Sequence, residues 1–217
     1  MLRVNQLVKT FGDKTAVDQL SIEMNAPGVF GLIGTNGAGK TTAIRCILGI
    51  MTPDSGTATW DEIKINRETL GFGYMPEERG IYMKVKVLEQ LIYFGMLRGM
   101  AKEDAKKSAL QYMERLNATE YRDMTAEKLS KGNQQKIQLI ATLIHDPKLV
   151  FLDEPFSGLD PVNADVLKQL IEELVAEGKY IIMSSHQMET VEDYCNDIVL
   201  LHRGKSLLKG NLKMIKE

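Results

Sequence analysis

The chain has 217 residues, a formal net charge of −2 at pH 7, 44% apolar residues and 26% charged residues. This is the mix of a globular protein and excludes a disordered chain, and the length suits one well-buried α/β domain with room for an inserted lobe. The near-neutral charge balance gives no global electrostatic reason to expect nucleic acid as a partner.

Cys46 and Cys195 stand far apart, each on the apolar stripe of a predicted helix, and read as small core residues. No run approaches the roughly 18 to 20 apolar residues that cross a bilayer, and Met1 to Phe11 has no signal-peptide pattern. The expectation is folding in the cytoplasm.

From the amino terminus to Met75 the patterning is rich in strands. Leu2 to Lys9, Ser21 to Met24, Val29 to Ile33, Thr57 to Trp60 and Phe72 to Met75 are divided by turn residues such as Pro53-Asp54-Ser55-Gly56. Only one helix interrupts them, marked by the spacing of Ala43, Ile44, Ile47 and Leu48. Between the strand Val29 to Ile33 and that helix lie Gly34, Thr35, Asn36, Gly37, Ala38, Gly39, Lys40, Thr41 and Thr42, which fit the phosphate-binding pattern G-x-x-x-x-G-K-[ST] in full. In this setting the glycines let backbone N–H groups turn inward around phosphates, and the helix start adds partial positive charge. Lys40 is expected to reach the β- and γ-phosphates from outside the core, and the Thr41 hydroxyl to ligate Mg²⁺.

From Val87 the period becomes helical, with Leu88, Leu91, Ile92 and Gly95 on one face and Ala105, Ala109, Tyr112, Met113 and Leu116 on another. The charges from Lys102 to Lys107 read as a solvated helix face. Leu129 to Lys136 leads into an apolar helical stripe of Ile137, Ile140, Ala141 and Ile144, with Ser130 placed as the N-cap. A helix start carrying a hydroxyl and a glycine is also an anion site.

After Pro147 strands and helices alternate: strand Leu149 to Leu152, helix Pro161 to Glu177, strand Tyr180 to Ser184, helix Met188 to Cys195, strand Ile198 to His202. Alternation of this kind predicts a parallel sheet with helices on its faces. The expected fold is therefore α/β: a P-loop core over 1–77 and 147–217 with an extra antiparallel β section near the amino terminus, and a helical insertion over 78–146. The apolar run Leu149 to Leu152 ends in Asp153 and Glu154, at the sheet edge where open α/β sheets bind ligands. There Asp153 can hold Mg²⁺ through water and Glu154 can polarise an attacking water.

Taken together these residues resemble the ATP-binding-cassette (ABC) ATPases. Leu129-Ser130-Lys131-Gly132-Asn133-Gln134-Gln135 looks like the signature motif of that family, Ser157-Gly158-Leu159-Asp160 its D-loop and Ser184-Ser185-His186 its switch histidine, while Phe11 stands where the family stacks an aromatic on adenine. Each also has a plain structural reading: Asp160 before Pro161 as a helix cap, His186 as a strand end, Phe11 as core. The resemblance implies an ATPase that works as a dimer, each γ-phosphate lying between the P-loop of one subunit and Ser130 and Gly132 of the other, with Asp160 also at the nucleotide. It further implies Glu154 as general base, His186 holding the γ-phosphate and water, and Thr41, Asp153 and Glu77 around Mg²⁺. Lys131 and Asn133 replace the commoner Gly and Gln, and Glu77 replaces the usual glutamine, which adds negative charge beside the triphosphate.

The wording of Pro76 to Tyr82 and Ser130 to Gln134 is most similar to ATP-binding subunits of bacterial export systems of the sodium and drug extrusion type. Such a subunit serves a separate transmembrane permease from the inner face of the cell membrane. The stretch from Arg79 to Phe94 is expected to meet that permease, with Ile81, Tyr82, Met83 and Val85 as a mobile apolar cluster or, in the alternative, as packing within the helical lobe. A soluble, non-transport cassette of the cofactor-assembly or remodelling type is the alternative function. Lys213 to Glu217 shows no clear element, and subunits of this type often continue further.

Overall fold

Alternation of buried and exposed positions builds the first strands. β1 (Leu2–Phe11) buries Leu2, Val4 and Leu7, and β2 (Lys14–Met24) buries Val17, Leu20, Ile22 and Met24 against the same side of the sheet. They pair antiparallel with register shifts along β1, one of them at Gln6, where φ is 44°. Only the last part of β2 is legible as a strand in the sequence; Gln19, at φ 52°, breaks the alternation before it.

β3 (Gly28–Gly34) is buried at every position, as expected of a strand covered on both faces. It is followed by α1 (Lys40–Ile47), which packs on β1, β2 and β3, and by β4 (Ser55–Trp60) and β5 (Ile63–Lys64) at the antiparallel edge. The structure is a computed structural model describing residues 1–66, 71–78 and 80–215. It divides into two compact units, the first made of Met1–Gly71, Phe151–Glu154 and Tyr180–Glu217.

The second unit, Phe72–Val150 with Pro155–Lys179, begins with β6 (Gly73–Met75). Its helices are α2 (Val87–Leu97), α3 (Lys102–Arg115), α4 (Lys131–Leu143) and α5 (Pro161–Ala176). α3 buries Ala105, Ala109, Tyr112 and Met113 as the spacing predicts, and the charged face from Lys102 to Lys107 is exposed around Ala105. In α2 the buried set is Val87, Gln90, Leu91 and Gly95, with Leu88 and Ile92 half-buried, so the buried face is turned from the expected one. The cause is Gln90: it accepts from the Tyr82 N–H at 2.9 Å and donates to the carbonyls of Tyr82 and Val85, each at 3.2 Å. Burying that amide satisfies three backbone groups of the preceding loop.

Within the same unit His145 places Nε2 3.1 Å from the Phe72 carbonyl while Nδ1 is buried without a partner. Burial, reinforced by the Arg98 charge, pushes its pKa down to about 4.

The first unit is completed by the carboxyl half of β7 (Leu149–Asp153), then β8 (Tyr180–Ser185), α6 (Met188–Tyr194), β9 (Asp197–His202) and β10 (Lys205–Asn211). The sheet order there is β5-β4-β1-β2-β10-β9-β3-β8-β7, with β3 parallel to both β8 and β9. β10, mostly exposed and without alternation, is absent from the sequence reading and returns antiparallel to β9. Cys46 and Cys195 are both free and buried. A short helix α7 (Leu212–Ile215) occupies the carboxyl end expected to lack an element, and residues 216 and 217 lie outside the described ones.

Candidate active site

The loop from Gly34 to Gly39 joins β3 to α1, so its position is set by the most buried strand of the sheet. Thr35, Asn36 and Gly37 are exposed at its lip, Gly34 and Ala38 are buried at its ends, and Thr41 and Thr42 are half-buried in the first turn of α1. At Gly39, φ is 108° and a Cβ would lie 2.0 Å from the Ala16 carbonyl oxygen, so a side chain is excluded by both backbone conformation and space. That contact lets the loop close tightly and start α1 on the next residue.

Lys40, expected outside the core, is instead 6% exposed. Its Nζ donates to the Gly34 carbonyl at 2.7 Å and the Thr35 carbonyl at 3.3 Å, and lies 3.1 Å from Glu154 Oε1. The ammonium is thus folded back into the loop, and burial is offset by its carboxylate and carbonyl partners.

Asp153 ends β7 and Glu154 follows it, both buried. Glu154 has φ 52°, the left-handed region that non-glycine residues enter rarely and that recurs where function over-determines the backbone. Its Oε2 lies 2.8 Å from His186 Nδ1 and its Oε1 faces Lys40 as an ion pair without hydrogen-bond geometry. Asp153 Oδ1 accepts from the Ser184 hydroxyl at 2.6 Å, leaving Oδ2 buried without a partner. A hard cation seeks a carboxylate oxygen of this kind.

Phe11 is 50% exposed rather than core, and Lys9 Nζ lies 5.6 Å from its ring centroid. The end of β1 that carries it is held by Asp54, whose carboxylate accepts from the Thr10 N–H and hydroxyl, both at 2.6 Å, and from Lys9 at 2.9 Å. The Thr10 hydroxyl bond is the leading cause that lowers the Asp54 pKa to about 2.

The remaining candidates lie in the second unit. Ser130 caps α4, its hydroxyl accepting from the Asn133 N–H at 3.3 Å, while the Asn133 side-chain amide donates to the Tyr121 hydroxyl at 2.9 Å. At Gly132 a Cβ would lie 2.9 Å from Asn163 Nδ2, so the glycine permits close approach of α5. Asn163 in turn bonds Asp160, through its N–H at 3.0 Å and its amide at 2.5 Å, which makes Asp160 the cap of α5. Glu77 is exposed, in a loop whose Pro76 and Glu78 carbonyls both accept from the Gln138 amide, at 2.7 and 3.1 Å. Gln138 has no signal in the sequence beyond being a polar residue on the apolar side of a helix; the role of Ser184 is likewise hidden among the polar residues of a strand end.

A glycine-rich loop between a buried strand and a helix, with its lysine 3.1 Å from a carboxylate just beyond the end of β7, is the arrangement of the P-loop nucleoside triphosphatases. A family profile described as ABC transporter matches residues 17–157. The ABC transporter ATP-binding protein YhaQ of Bacillus subtilis is 47% identical over 217 residues, covering 100% of this chain and 73% of its own. The linearmycin resistance ATP-binding protein LnrL of Bacillus subtilis is 33% identical over 214 residues, covering 97% of this chain and 69% of its own. A solved structure described as the ATP binding subunit of an ABC transporter superposes with TM-score 0.88 at 28% identity, covering 100% of this chain and 92% of that one. The chain belongs to the ABC transporter family and is its ATP-binding, ATP-hydrolysing cassette.

Proposed function

We propose that this cassette energises export through a separate membrane-spanning chain, working as a symmetric pair that ATP closes. The observation that carries the hydrolytic part of the reading is the Glu154 carboxylate, held 3.1 Å from Lys40 on one oxygen and 2.8 Å from His186 on the other. A cation for phosphate and a base for water stand within reach of one triphosphate chain.

In this reading the N–H groups from Gly34 to Thr42 cradle the phosphates, Lys40 neutralises the β- and γ-phosphates, and Phe11 stacks on adenine. Glu154 takes a proton from the water that attacks the γ-phosphorus as the bond to the ADP oxygen breaks, and His186 orients Glu154 and the γ-phosphate. Thr41 and Asp153 would hold Mg²⁺, which offsets the phosphate charge when bound. The chain carries one P-loop and one signature segment, so Ser130, Gly132 and Asp160 of a second copy complete each site, and a homodimer makes two of them. Residues 78–146 act as the helical subdomain of a single cassette.

No described helix is long and apolar enough to cross a membrane. A peripheral place on the inner face of the cell membrane follows from docking on a permease. For that docking the second unit offers Tyr82, Tyr93, Met96 and Leu97, exposed by 50%, 48%, 48% and 63%. Tyr82 stacks on Phe94 at 5.6 Å, and Gln90 pins its backbone. The cluster before α2 is therefore split: Ile81, 8% exposed, packs inside, while Tyr82 faces out with its backbone N–H and carbonyl both bonded to the Gln90 amide. Arg79, at the start of the expected docking stretch, lies outside the described residues. The resistance function named for LnrL favours export.

The test is co-expression with the membrane-spanning chain encoded beside it. Tyr82→Asp is expected to abolish co-purification while basal ATPase stays near wild type. Undiminished co-purification would move the docking surface elsewhere, and the absence of any membrane-spanning neighbour would return the chain to the soluble class.

A further inference from the structure

β8 ends in two serines that do different things. The Ser185 hydroxyl serves its own turn, accepting from the Gln187 N–H at 3.0 Å. Ser184, completely buried, reaches the end of β7 instead. Its hydroxyl donates to Asp153 Oδ1 at 2.6 Å and accepts from the Glu154 N–H at 2.8 Å.

A serine hydroxyl has one proton and two acceptor sites, so these two bonds use it in opposite senses and fix its orientation. The proton is committed to Oδ1, and the oxygen that Asp153 keeps free is therefore Oδ2, buried and without a partner. The accepted bond satisfies a buried backbone N–H at a residue whose φ is 52°. With the backbone held there, the Glu154 side chain turns its two oxygens to Lys40 and His186.

We propose that Ser184 is a positioning residue for ATP hydrolysis: one hydroxyl sets both the free oxygen of Asp153 and the backbone conformation of Glu154. This rests on the reading of Asp153 as a magnesium ligand and Glu154 as the base. Groups that orient a metal ligand change metal affinity or activity by about 10- to 100-fold when removed. Ser184 does this for two neighbouring carboxylates at once, and both of its hydrogen bonds go to protein groups.

The test compares Ser184→Ala and Ser184→Thr with the wild type in two measurements. The first is the affinity for a fluorescent ATP analogue in excess EDTA and in excess Mg²⁺. The second is steady-state hydrolysis. Without metal, Ser184→Ala is expected to bind as the wild type does, since the loop N–H groups and Lys40 are unchanged. The gain in affinity on adding Mg²⁺ should shrink, with KM for Mg-ATP rising in step, and kcat should fall by about 10- to 100-fold. Ser184→Thr, which keeps the hydroxyl, should recover most of both losses.

Wild-type kcat together with a wild-type response to Mg²⁺ in Ser184→Ala overturns the proposal. So does an equal loss of affinity with and without metal, which makes Ser184 a packing residue. A wild-type chain that shows no Mg²⁺-dependent hydrolysis removes the magnesium reading instead, whatever the variants do.

Discussion

Lys40 Nζ lies 3.1 Å from Glu154 Oε1, between side chains that are 6% and 7% exposed. The cation assigned to phosphate and the base assigned to water are thus each other's partners. In the proposed mechanism, phosphate oxygens entering the loop would compete for the ammonium, and the carboxylate oxygen they displace would become available to accept a proton.

Lys40→Ala is expected to weaken ATP binding by roughly ten- to hundredfold, the scale of lost hydrogen bonds to a charged group. Because the lysine is buried and paired, the same change leaves a buried carboxylate with His186 alone and should cost about 3–5 kcal/mol of folding stability. Calorimetry with ATP and urea unfolding without it measure the two effects. The Lys40→Ala, Glu154→Gln double variant should regain stability and not binding; a double variant as unstable as the single would mean that the ion pair is not the cause.

Glu154→Gln keeps the shape of the side chain and loses the proton acceptor. It is expected to bind ATP normally and hydrolyse it about 10²- to 10⁴-fold more slowly, the range of general-base contributions. ATP should then hold the chains as dimers, visible by sedimentation with Mg²⁺. Monomers under those conditions would count against the paired site unless the permease is needed for pairing.

Phe11→Ala removes an exposed ring and leaves the core untouched. A loss of about 1–3 kcal/mol in ATP binding is expected, as for aromatic stacking on a base, with the thermal midpoint unchanged. Calorimetry that shows equal affinity for both proteins would remove Phe11 from the nucleotide site.

Acid should destabilise the protein through His145. Its pKa is pushed down from 6.5 to about 4, so as pH falls the unfolded chain takes up the proton first. The contribution to stability is complete above about pH 6.5 and disappears as pH drops through about 4, a change on the order of 2 kcal/mol. Asp54, lowered from 3.8 to about 2, acts in the same direction in a separate window: its contribution is present above about 4 and lost as pH falls through about 2. Urea midpoints at pH 7, 5 and 4 should fall for the wild type and fall less for His145→Gln, and parallel curves would exclude the histidine.

The loop between β3 and α1, the acid pair at the end of β7 and the Ser130-capped start of α4 were legible because each is a short contiguous pattern whose neighbours supply its strand or helix context. The continuous burial of β3 and the spacing of α3 follow from the same local periodicity. Tertiary structure overrode the pattern elsewhere: Gln90 turns the buried face of α2, and the bulged first half of β2 lacks a readable period.

What the sequence determined by itself was the class of chemistry, since phosphate cradling needs particular residues at fixed spacing along one loop. The tertiary structure decided how those residues meet. Lys40, Glu154 and the Ser184–His186 segment come from three separate stretches of the chain and converge only because β3 and β7 flank β8 in the sheet. A hydrogen bond or ion pair depends on positions within a few tenths of an ångström, and residues far apart in the chain acquire such positions only when strand order and register bring their backbones together.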